Sequence, residues 1–150
     1  MHTFSNLLNA QRTLEHLREA PCPTTKGWDL AKVLHHAAQS VEYSLDGFPR
    51  QKNVWFQATV GAAAFAVFSI RGTMRHGLEQ PIPGAPDIAE HQPLAMAVDR
   101  MLSALHRFDS HNGPLAPHFA YGKLNKAQFT RAHLMHLADH WQLVQTPVTA

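Results

Sequence analysis

The sequence predicts an all-α protein. Apolar residues recur at helical intervals in several separated stretches, cap residues stand before most of these, and no segment alternates apolar and polar residues as a half-buried strand would. At 150 residues, one domain spanning 1–150 is expected, long enough to bury a core without a disulfide or structural metal.

The elements follow from punctuation. Leu7, Leu8, Leu14 and Leu17 mark a first helix, with Ser5 or Asn6 able to cap its start and Pro21 and Pro23 closing it. Asp29 can accept the first free amides of a second helix, whose stripe is Leu30, Val33, Leu34, Ala37, Val41 and Leu45; Gly47 and Pro49 end it. A third helical stretch runs from about Asn53 to His76, weakened by Gly61 and Gly72. Its apolar core, "VGAAAFAVFSIR", falls short of the roughly 20 residues that span a bilayer, so a buried helix is expected there and no membrane association. "GLEQPIPGAPDIAEHQP" then traverses the surface. Leu94, Val98, Leu102 and Leu105 place a fourth helix over Pro93 to Phe108, "SHNGPLAPHFAYGK" is a loop, and Asn125 with Gln128 forms a capping box for a last helix reaching about Val144.

Composition narrows the function classes. Lys plus Arg total 13 against 11 for Asp plus Glu, a net charge of +2, and the basic residues are scattered, so nucleic acid is not an expected partner. The single cysteine, Cys22, has no partner in the chain, and the N-terminus lacks a basic segment followed by an apolar run; a reducing, cytoplasmic setting is expected. No G-x-S-x-G, phosphate loop or dinucleotide fingerprint competes for the chemistry.

What remains is histidine. In "HLMHLADHW" near the end of the chain, His136 and His140 are one helical turn apart and project side by side toward one ion; His133 shares their face. A second apolar stripe, Leu134, Leu137, Trp141 and Val144, widens that face enough for deep burial, so the imidazoles point at neighbouring helices. Two ligands are too few, and the second helix offers His35 and His36 on opposite flanks of its stripe. Periodicity does not choose between them.

The segments "WDLAKVLHHAAQSVEYSLDG", "PHFAYGKLNKAQF" and "HLADHWQ", in that order, resemble the DUF1569 family, a branch of the DinB-like superfamily. The resemblance implies a four-helix bundle with an additional helical segment and a divalent metal, zinc or nickel before others, held by His36, His136 and His140. It places a loop histidine at His118, ahead of Gly122. Phe119 replaces the usual proline, Asp139 stands where a second histidine is common, and Leu143 where a glutamine is common. The Asn53 to His76 segment becomes an insertion whose apolar character makes it the candidate contact of a homodimer. The resemblance further implies a small-molecule substrate and a low-molecular-weight thiol, as in a metal-dependent transferase. The alternatives are a hydrolase or a non-catalytic, stress-related bundle.

Asp139 is read as able to orient a ligand imidazole or as a solvent-facing carboxylate, His133 as an accessory ligand, a hydrogen-bond partner or a core histidine, and His118 and Tyr121 as residues of a pocket rim or a packed loop. Trp28, Trp55 and Trp141 are read as packing residues.

Overall fold

The computed structural model describes residues 4–19 and 26–144; Pro21, Cys22 and Pro23 lie outside them. Helix α1 (Leu7–Glu19) starts where Asn6 Oδ1 accepts the Asn9 N–H at 2.8 Å. Helix α2 (Leu30–Asp46) is capped by Asp29, whose Oδ1 accepts the Lys32 N–H at 2.8 Å while Oδ2 accepts the His91 N–H at 2.8 Å, which ties the helix start to the end of the long traverse. Gly47, at φ 101°, closes α2 by donating its N–H to Tyr43 O at 2.9 Å.

Helix α3 (Val54–Arg71) contains a π-helical turn over Gln57–Gly61. Helix α4 (Leu94–Ser110) follows Pro93, and helix α5 (Lys126–Trp141) opens with the expected capping box, in which Asn125 Oδ1 accepts the Gln128 N–H and Gln128 Oε1 accepts the Asn125 N–H, both at 2.8 Å. No strand occurs among the described residues.

Four helices form the bundle. α2 packs along α4, α1 along α4 and α5, and α2 along α5, so α1 and α2 stand diagonally opposite. Leu14, Leu34, Val41, Met101, Leu105, Phe108, Phe129 and Leu137 fill the centre, all within 1 % exposure. Each large apolar side chain removed from water there contributes about 1.5–3 kcal/mol.

The expectation of a buried third helix is corrected. Trp55 is 82 % exposed and Ile70 87 %, with Val54, Val60 and Val67 also open, so Trp55 is no packing residue. The sequence is apolar on all sides, a pattern that ordinarily marks burial, yet only its inner face is committed, through Phe65 against Met74, Ala132 and Met135. By length and composition α3 would be long and apolar enough to cross a membrane, with a mean hydropathy of 1.3 over 18 residues.

Two glycines set where α3 goes. A Cβ on Gly61 would lie 1.9 Å from the Ala120 carbonyl oxygen, so only glycine lets the π turn press against the 118–122 loop. Gly72 adopts φ 68° and ends the helix at Arg71. His76 therefore belongs to the following loop, not to the helix in which the sequence reading put it.

Candidate metal centre

His36 projects from the middle of α2 toward α5, from which His136 and His140 project one turn apart. The structure brings these three sequence-selected histidines together and adds a fourth, His76. One nitrogen of each of His36, His76, His136 and His140 lies within 4.8 Å of those of all the others. His36 Nε2 is 3.1 Å from His136 Nε2, and His76 Nε2 is 3.0 Å from His140 Nε2. Four imidazole nitrogens about 2.0–2.1 Å from one ion stand about 3.4 Å apart in a tetrahedron, so the cluster has the dimensions of a single-ion site.

The loop delivers His76 and α5 fixes it. Asp139 Oδ2 accepts the His76 backbone N–H at 3.0 Å and sits 2.6 Å from His76 Nδ1. Asp139 is only 5 % exposed, which corrects the solvent-facing alternative for this carboxylate. It acts on His76 rather than on the α5 histidines, leaving the His76 Nε2 lone pair directed inward.

Burial pushes the His36 imidazole down to about 4 and His140 to about 2, with the neighbouring histidines adding to both shifts. His136 is held well below its ordinary value for the same reasons, and burial lowers His76 in spite of Asp139. The four rings are therefore neutral near pH 7. His36 Nδ1, His76 Nδ1 and His140 Nδ1 are buried without a hydrogen-bond partner among the described residues, although His76 Nδ1 lies in ion-pair range of Asp139. Four neutral rings that crowd their Nε2 atoms together suit a cation between them, since each close pair can share only one proton. The donor set thus fits a divalent ion.

The other candidates are placed elsewhere. His35 turns to α4, where its Nδ1 accepts from Arg100 Nη1 at 3.3 Å; Arg100 in turn holds Glu42 through two bonds of 2.9 and 2.7 Å. His133 Nε2 is 3.2 Å from Ser44 Oγ, whose own proton goes to Val41 O at 2.6 Å, so the imidazole donates and has no lone pair there for a metal. Its ring lies between Phe108 and Phe129, 5.0 and 5.5 Å away. His118 Nδ1 accepts the N–H groups of Ala120 and Tyr121 at 3.1 and 3.2 Å, and its ring stacks on Tyr121 at 4.3 Å. Trp28, at the start of α2, meets His36 edge-on at 5.3 Å and lies nearly parallel to His140 at 6.5 Å, covering one side of the cluster.

The order of these segments extends to almost the whole chain, for the family model described as "Protein of unknown function (DUF1569)" matches residues 2–147. The chain belongs to the DUF1569 family. No curated protein and no solved structure matches it.

In this DUF1569 protein a cavity of about 210 Å³ opens beside the cluster, with His36, His76 and His136 in its wall. Met74, Ile82, Phe119 and Ala132 give it an apolar lining, and Tyr121, His118 and Lys52 bring its polar groups. Burial, with Asp139 nearby, pushes the Tyr121 hydroxyl up to about 12, so it stays protonated and can donate. Among the described residues no carboxylate lines this space. His76 is the residue that sequence reasoning missed: it lies in a loop with no periodicity, and only the stop signal at Gly72 separates it from the helix before it.

Proposed function

We propose that this DUF1569 protein holds one divalent metal ion through His36, His76, His136 and His140 and uses it to bind and activate a small molecule in the adjoining cavity. The observation that carries this reading is the approach of four imidazole nitrogens to within 4.8 Å of one another at the wall of that cavity. Bound there by neutral imidazoles, a divalent ion would supply a positive charge, offset only in part by Asp139 behind His76, that stabilises an anionic nucleophile or substrate group. Asp139 keeps His76 in place, Trp28 shields the cluster, and Tyr121 offers a proton to whatever enters.

Among the reaction classes that the sequence suggested, transfer to a low-molecular-weight thiol suits this cavity better than hydrolysis. A divalent ion ionises bound water as well as a thiol, but here the water would depend on the ion alone: the lining holds no carboxylate among the described residues, and the His118 Nδ1 lone pair is occupied by two backbone amides. A thiol needs only a charge that favours its ionised form. Nitrogen ligands suit zinc, nickel, copper and iron alike. An ion content with four ligands would complete its shell here and leave the protein a non-catalytic metal binder, whereas a six-coordinate ion keeps two positions for a ligand.

Metal analysis of the purified protein beside its His136→Ala and His36→Ala variants tests the reading. About one equivalent is expected in the wild type and a small fraction of that in each variant. Equal metal in all three preparations would remove these residues from the site.

A further inference from the structure

Among the described residues the cavity beside the histidines has one Lys, Arg, Asp or Glu in its lining, and it is basic. Lys52 lies two residues before α3, and its backbone N–H donates to Phe119 O at 2.9 Å, which fastens it to the loop carrying His118 and Tyr121. Its ammonium stands 4.7 Å from the Phe56 ring centroid and has no ion-pair partner among the described residues. From Gly47 to Leu78 the sequence contains no Asp or Glu; Glu79, exposed beside the lining residue Gln80, is the first acidic residue after Lys52 and does not itself line the cavity.

The body of the cavity is different. Met74 and Ile82 are 6 % and 5 % exposed and, with Phe119, present hydrocarbon to the space between Lys52 and the histidines. Apolar walls with a few converging polar groups are the usual make-up of a small-molecule site. Size bounds the occupant: a dry apolar cavity of about 150 Å³ accepts benzene, so about 210 Å³ corresponds to roughly eight non-hydrogen atoms.

We infer that this cavity binds a compact organic anion of about eight non-hydrogen atoms, its hydrocarbon against Met74, Ile82 and Phe119 and its charge held between Lys52 and the histidine centre. The inference rests on the metal-site reading for the inner positive charge; Lys52 supplies the outer one. Tyr121 donates to the anionic group. Lys52 is thus a specificity-determining residue for charge, and Ile82 one for length.

Calorimetric titration with straight-chain carboxylates tests this, using the metal-loaded and the metal-free protein and measuring metal content in the same samples. Affinity is expected to rise about fourfold per methylene from acetate to hexanoate and then level off. Hexylamine, of the same length and opposite charge, is expected not to bind. Lys52→Glu should weaken hexanoate about tenfold with metal content unchanged, and Ile82→Trp should shorten the preferred chain. A flat series, equal binding of hexylamine, or an unaltered Lys52→Glu variant would overturn the inference even where metal is present. Metal-free protein that binds hexanoate as tightly as the metal-loaded protein would overturn the part given to the histidine centre, and a protein that takes up no metal in any preparation, yet shows the length series and the Lys52 effect, would overturn the metal-site reading and leave the anion cavity standing.

Discussion

Asp139 Oδ2 accepts the backbone N–H of His76 at 3.0 Å and lies 2.6 Å from the Nδ1 of the same residue, so one carboxylate oxygen ties the loop by a hydrogen bond and faces the ring as an ion-pair partner. Because Asp139 precedes His140 on α5, the loop histidine and the helix histidines are held as one unit. Carboxylates that orient a ligand imidazole typically change metal affinity by about 10- to 100-fold. Asp139→Ala is expected to weaken binding of the metal by about that factor, and Asp139→Asn, which keeps an acceptor oxygen, by less. Competition against a chelator measures this, and the visible spectrum of the cobalt-substituted protein should change as one nitrogen leaves the ion. An unaltered spectrum in Asp139→Ala would reduce the carboxylate to packing.

The helix histidines were legible because helices have a period. His136 and His140 share a face by spacing alone, and the capping residues Asp29 and Asn125 located their helices correctly. Between His35 and His36 periodicity was silent, since both flank the apolar stripe and both are buried; Arg100 on α4 takes one and α5 faces the other. His76 was not legible, because its position depends on where α3 stops and on a carboxylate 63 residues away. The exposure of α3 was illegible for another reason. A run such as "AAAFAV" has the same composition whether a core covers it or not.

Gly61 offers a test of how α3 is seated. Gly61→Ala places a methyl against the Ala120 carbonyl, with backbone on both sides, so neither neighbour can yield by a side-chain rotation. Overpacking of this kind costs about 1–3 kcal/mol. Denaturant unfolding should show a loss of that size. A neutral substitution would mean that the 118–122 loop does not press on the π turn.

Acid should unfold this protein early. Burial holds His118 and His133 down at about 3, far below the value near 6.5 that they regain on unfolding. The unfolded chain therefore binds more protons, so stability is complete above about pH 6.5 and is lost as the pH falls from there toward 3. Each such histidine contributes up to about 1.4 kcal/mol per pH unit in that window. His36 and His140 act in the same direction, and a bound metal adds to it because its ligands must be neutral. Thermal midpoints of the metal-free protein from pH 8 to pH 4.5 report this; a flat profile between pH 6.5 and 5 would contradict it.

The outer face of α3 is where the expectation of a homodimer can be checked. Sedimentation of the wild-type chain is expected near twice its mass of 16.7 kDa, and a Trp55→Glu, Ile70→Glu variant near that mass itself. A monomeric wild type would leave the face to water.

The central claim is that four imidazoles from α2, the loop after α3, and α5 hold one ion. A crystal structure of the metal-loaded protein, with anomalous difference maps on both sides of the metal absorption edge, tests it most directly. A single peak is expected about 2.0–2.2 Å from the Nε2 atoms of His36, His76, His136 and His140. A peak elsewhere, or none at that point in protein that carries one equivalent of metal, would contradict it.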